Sequence, residues 1–95
     1  MREYSERFYR LLMIRVRAAI CDTIRKEGGR MLQADLQKWI QIYSDEEKSL
    51  RRLSKDGSEE AFLFVFGALI QLMSEKIITT DLEEQHYLLK SPTEG

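Results

Sequence analysis

The chain reads as mainly α with a small β-hairpin, an α+β fold of three to four helices followed by two strands. Three observations predict this. Tyr4–Lys26 carries no Gly or Pro and repeats apolar side chains at helical spacing. The stretch Ser58–Lys76, SEEAFLFVFGALIQLMSEK, opens with a helix cap and then turns apolar on nearly every side, as a buried helix does. The segment after it, IITTDLEEQHYLLK, places two β-prone runs around an acidic bend.

Tyr4–Lys26 forms the first helix, and Gly28-Gly29 stops it. Phe8, Leu12, Val16, Ala19 and Thr23 recur on one face. Leu11, Ile14, Ala18 and Cys21 make a second stripe well over 100° away, at about 100° per residue. Two stripes call for burial from two sides. Either the other helices cover both, or a partner chain covers the second. Arg30-Met31-Leu32 has room for a one- or two-residue strand that joins the hairpin.

Asp35–Tyr43 forms the second helix, with Leu36, Trp39, Ile40 and Tyr43 on one face and Trp39 assigned to the core. The charged run 44–57, SDEEKSLRRLSKDG, is about a dozen residues where a compact helical turn needs about 3–4. Ser44 ahead of Asp45, Glu46 and Glu47 reads as a cap. The spacing of Leu50 and Leu53 predicts a short extra helix or an extension of the second. Asp56-Gly57 makes a turn, and Ser58 caps the third main helix. Phe62, Phe66, Leu69 and Met73 form its inner stripe, with Val65, Ile70 and Leu72 on the shoulders. Ile77–Thr80 and His86–Leu89 are the strands, and Asp81–Glu84 the bend. Residues 1–90 make one domain and 91–95 a frayed tail.

Composition narrows the function. Of the residues, 43% are hydrophobic and 33% charged, which suits one small globular core. A net charge of −1 gives no global field toward nucleic acid or membrane. Residues 1–30 hold eight basic and four acidic side chains, and residues 61–95 two and five, so the chain runs from a basic first helix to an acidic hairpin. The single Cys21 has no partner for an internal disulfide, and an intracellular setting is the expectation. Ala61–Ile70 is apolar but short of the roughly 20 residues of a membrane span, and Met1-Arg2-Glu3 does not begin a signal peptide.

The phrases GRMLQADLQKWI and FGALIQLMSEKIITTD stand at the entry to the second helix and at the passage from the third helix into the strands. With the element order, they resemble the winged-helix superfamily across residues 8–90. Among its members, the apolar third helix and acidic wing look most like protein-docking domains. Such domains occur at the C-terminus of kleisins and at the ends of minichromosome-maintenance and origin-recognition subunits. The resemblance implies a winged-helix-like fold and a place in a chromosome-associated, nuclear complex of replication or segregation. In a DNA-reading winged helix, the last helix shows polar and basic side chains to the groove. Here its outward side is expected to show Phe64, Gly67, Ala68 and Gln71. The 44–57 segment departs from a compact helix-turn-helix.

The expected function is therefore non-catalytic protein–protein docking, with no cofactor, no metal and no catalytic residues. The partner-binding candidates are Phe64, Gly67, Ala68 and Gln71 on the third helix and Leu11, Ile14 and Ala18 on the first. The partner is another subunit or a second copy, through Leu11, Ile14 and Ala18 in the latter case. A 44–57 segment folded over the third helix is the competing account of that face. A DNA-binding regulator is the alternative: Arg7, Arg10, Arg17 and Arg25 fall on roughly one sector of the first helix. Glu3, Glu6, Asp22 and Glu27 interleave with them, and Asp81, Glu83 and Glu84 would repel phosphate. A small adaptor unrelated to nucleic acid is the third reading. For enzyme chemistry there is one His, His86, and no recognisable nucleophile–base pair, metal-ligand spacing or Gly-rich phosphate loop.

Overall fold

The structure, a computed structural model, describes residues 5–54 and 59–90. Helix α1 spans Glu6–Lys26. Ser5 caps it, its Oγ accepting from the Phe8 amide at 3.1 Å, and Arg25 and Lys26 suit the negative end of the dipole. Its buried side chains are Leu12, Val16, Ile20 and Ile24, one row at spacing four. The expected row differs: Ala19 and Thr23 lie at the edge of the contact, and Thr23 bonds back to the Ala19 carbonyl at 2.8 Å. The longer Ile20 and Ile24 reach the core instead. At the helix end Gly28 and Gly29 both have φ near +90°, and the Gly29 amide donates to the Ile24 carbonyl. Only glycine takes up this left-handed exit without a Cβ clash.

Strand β1, Arg30–Leu32, leads straight into helix α2, Gln33–Glu46. That helix starts earlier and ends later than Asp35–Tyr43. Leu36 and Ile40 are buried, while Trp39 and Tyr43 are half-buried and stacked at 4.7 Å with 14° between their planes. Ser44 is not a cap. It sits buried inside α2 with its hydroxyl donating to the Ile40 carbonyl at 2.7 Å. Glu47 takes the capping role, accepting from the Ser49 amide, and starts the four-residue helix α3, Lys48–Arg51. Residues 44–54 thus both extend α2 and add a helix, and they bury Leu50 and Leu53. The expected Asp56-Gly57 turn, the Ser58 cap and the 91–95 tail lie outside the described residues.

Helix α4, Glu60–Ser74, has its early amide at Ala61 satisfied by the Ser54 hydroxyl at 2.8 Å. It buries Ala61, Val65, Ala68, Leu69 and Leu72. The expected inner stripe is therefore turned: Leu69 is core, but Phe62, Phe66 and Met73 are only partly buried and Ile70 is exposed. Two packing partners explain the turn. α4 lies against both α1 and α2, and small side chains at Ala61 and Ala68 let neighbouring backbones come close. Bulky rings are displaced to the flank.

Strands β2, Ile78–Asp81, and β3, His86–Leu89, form an antiparallel hairpin. β1 pairs antiparallel with β3 (Arg30 with Leu88, Leu32 with His86), giving the order β1-β3-β2. Helix, strand, two helices, helix and hairpin around this sheet make the fold α+β and winged-helix-like. In the hairpin turn, Asp81 Oδ1 accepts from the Glu83 and Glu84 amides at 3.1 and 3.2 Å. Gln85 follows with φ of 55°, a conformation costly for a side chain other than Gly or Asn. Gln85→Gly is expected to raise stability by about 0.5–1 kcal/mol after the entropy of the freer unfolded chain is set against the relief. A urea midpoint at or below the wild type's would contradict this.

Candidate docking surface

The side of α4 assigned to a partner turns out to face α1. Ala68 is 0% exposed and belongs to the core. Phe64 is half-buried, with its ring 6.3 Å from that of Tyr9 on α1. Gln71 accepts from Arg17 Nη1 at 3.1 Å, and the same guanidinium is bidentate on Glu75, at 2.9 and 2.6 Å. Gly67 is half-buried, and a Cβ placed on it meets nothing within 4 Å. So α1 lies along this side. Of the expected constellation, Ala68 is core and Phe64 packs toward α1, while Gln71 stays exposed at the edge of that contact and Gly67 borders open space. The reason is that α4 is apolar on so many sides that periodicity alone does not reveal which of them meets the long first helix.

The exposed apolar face of α4 lies on the opposite flank. Leu63 is 63% and Ile70 53% exposed, and Phe62, Phe66 and Met73 are half-buried beside them. Phe62 and Phe66 stack at 6.0 Å with 11° between planes, forming a small aromatic ledge. Leu63 escaped sequence reasoning, and Phe66 and Met73 were placed inside. The available signal was the pair of alanines: small residues at Ala61 and Ala68 mark where a helix is approached closely, which puts Leu63 and Ile70 outside.

On α1, the second stripe is open. Leu11 is 54% and Ile14 60% exposed, Ala18 is exposed and Cys21 half-buried. α1 is buried from one side, not two, and neither α2 nor α4 covers this stripe. Burial pushes the Cys21 thiol above its ordinary pKa, a shift that the nearby Arg25 and Arg17 oppose, so the thiolate a reactive cysteine needs is disfavoured.

The candidate arginines do not present one free basic face. Arg17 is held by Glu75 and Gln71, Arg25 pairs with Asp22, and Arg10 lies 3.7 Å from Glu6. Arg7 is exposed. Glu47 pairs with Arg15 at 3.6 Å besides capping α3. His86 Nδ1 lies 3.4 Å from Arg30 Nη2 and 3.9 Å from Glu84, and Arg30 itself pairs with Glu84. Among the described residues, no group of three His, Cys, Asp or Glu side chains is arranged to hold a metal ion. No helix among them is long and apolar enough to cross a membrane. A depression between α2, α3 and the start of α4 is lined by Asp45 and Glu59 as well as Lys48, Arg51 and Arg52, a mixture with no dominant sign.

Comparison of the chain with protein-family models, curated proteins and solved structures finds no match. The candidate surface therefore rests on its own geometry.

Alanine substitutions separate the two flanks of α4. Phe64→Ala is expected to cost about 2–3 kcal/mol, below the ~3–5 kcal/mol of a fully buried ring, while Leu63→Ala costs about 0.5 kcal/mol or less. Urea midpoints of the two variants decide it. Equal losses would contradict this assignment, and a larger loss at Leu63 would reverse it.

Proposed function

We propose that the chain is a non-catalytic protein-docking domain whose contact surfaces are the Leu63–Ile70 flank of α4 and the Leu11–Ile14–Ala18 stripe of α1. The observation that carries this reading is the exposed apolar flank of α4. In a winged-helix-like frame, α4 is the helix that would enter a DNA groove, and a groove-reading surface needs side chains that donate to phosphates and base edges. Leu63 and Ile70 offer neither; they offer apolar area that gains free energy only when a second apolar surface removes it from water. The half-buried Phe62 and Phe66 beside them are suited to act as anchors. Charged residues at the margins, Glu59 and Lys76 among them, orient a partner more than they hold it.

The alternative of a DNA-binding regulator has Arg7, Arg10, Arg17 and Arg25 as its support. Phosphates would have to displace carboxylate partners at Arg10, Arg17 and Arg25. A setting in a chromosome-associated complex follows only from the resemblance to docking winged helices, and an adaptor with no link to nucleic acid uses the same surfaces.

Two measurements test the reading together. A photo-crosslinking residue placed at Leu63, at Ile14 or at the exposed hairpin residue Leu82 is activated in the cell that makes the protein. Discrete protein adducts are expected from positions 63 and 14 and not from 82. Fluorescence anisotropy with a labelled DNA duplex is expected to show no saturable binding between ~50 and ~200 mM salt. Saturable, salt-weakened DNA binding that Arg7→Ala reduces, with no protein adduct at 63 or 14, would replace the docking reading by the regulator.

A further inference from the structure

The charged run carries a modification signal that is independent of the docking reading. Arg51-Arg52-Leu53-Ser54 puts two arginines three and two residues ahead of a hydroxyl. Of the chain's serines and threonines, only Ser54 has arginine at both positions. A protein kinase with carboxylates in its substrate groove reads such a spacing. Two guanidinium forks held by those carboxylates fix the register of the hydroxyl against the γ-phosphate of ATP.

The fold gives this serine a particular place. Its Oγ accepts from the Ala61 amide at 2.8 Å, whereas Thr23 and Ser44 donate their hydroxyls to carbonyls of their own helices. Ser54 is half-buried, and Arg51 and Arg52 are exposed. The element that has to open for a kinase is α3, a helix of four residues, and a single turn is the easiest helix to undo. Leu50 and Leu53 are buried and set the cost of opening, so the folded chain reacts more slowly than an extended peptide.

The depression between α2, α3 and the start of α4, about 750 Å³, is lined by Ser54 together with Lys48, Arg51 and Arg52, and also by Asp45 and Glu59. A phosphate on Ser54 is thus attached beside an amide at the positive end of α4, where cations outnumber carboxylates. Its terminal oxygens are stronger acceptors than the ester oxygen and take over the Ala61 amide.

We propose that Ser54 is a phosphorylation site read through Arg51 and Arg52, and that the phosphate, held by the Ala61 amide and the cations of α3, fastens α3 to α4. The γ-phosphoryl group of ATP passes to Ser54 Oγ. The new O–P bond forms, the bond to ADP breaks, and the hydroxyl proton goes to the catalytic aspartate of the kinase.

The test incubates the 95-residue chain with Mg-ATP and an arginine-directed serine kinase already shown to be active on an Arg-Arg-X-Ser peptide. Intact mass and fragment mapping are expected to find a single phosphate, on Ser54. Arg51→Ala combined with Arg52→Ala is expected to slow the transfer about 10-fold or more, the worth of a lost charge-assisted bond. These exposed changes keep the test open if Ser54→Ala, which also removes the acceptor of the Ala61 amide, fails to fold. In the phosphorylated chain, hydrogen exchange at the Ala61 amide is expected to slow about 3- to 10-fold. No incorporation, a phosphate on another hydroxyl, or a rate indifferent to both arginines overturns the site. Faster exchange at Ala61 after modification overturns the fastening, because Asp45 and Glu59 then repel the phosphate more than the cations hold it.

Discussion

α4 has to satisfy two helices. α1 and α2 meet chiefly through it, and the sheet leans on its C-terminal end by way of β2. A helix in that position needs a wide inner face, and Ala61, Val65, Ala68, Leu69 and Leu72 supply it, with small side chains where backbones come close and larger ones where gaps need filling. Ile20, Ile24, Leu36 and Ile40 belong to the same core and fail to bury if α4 is displaced. The Arg17 fork on Gln71 and Glu75 holds the seam of α1 and α4 at its edge. With both side chains partly exposed, its contribution is modest beside the apolar burial, and it acts more on the register of the seam than on its strength.

The terminal chemistry serves the same arrangement. The left-handed exit at Gly28-Gly29 turns the chain sharply enough for β1 to start within a few residues and run beside β3. The Leu89 amide reaches the Gly29 carbonyl, tying the last strand to the end of α1. At the other end of the core, the Ser54 hydroxyl accepts from the Ala61 amide at the start of α4, so residues 44–54 contribute an amide partner and two buried leucines. Through residue 54 the charged run is a structural part of the domain, and the Arg15–Glu47 pair ties it to α1.

A helix that serves two neighbours still has a third side. On α4 that side is apolar, and this couples the fold to its proposed use. Leu63 and Ile70 lie outside the core. Their presence in water is a standing free-energy cost that association removes. The same holds for Leu11 and Ile14 on α1.

By itself the sequence determined the elements: the uninterrupted first helix and its glycine stop, a strand at Arg30–Leu32 that runs to three residues where one or two were expected, the extra helical turn after the second helix, and the hairpin about Asp81. These are local properties, set by backbone preference and by capping groups within a few residues. It also determined that the first helix has two apolar stripes. What tertiary structure decided was rotation. Ile20 and Ile24 displaced Ala19 and Thr23 because the neighbours left room for long side chains. Ser44 became a buried helical residue because α2 continued past it. Ala68 went inside, and Leu63 and Ile70 outside, because a helix apolar on all sides carries no periodic signal of its own. Which side faces α1, which faces α2 and which faces water is a property of three elements packed together, and only their assembly defines it.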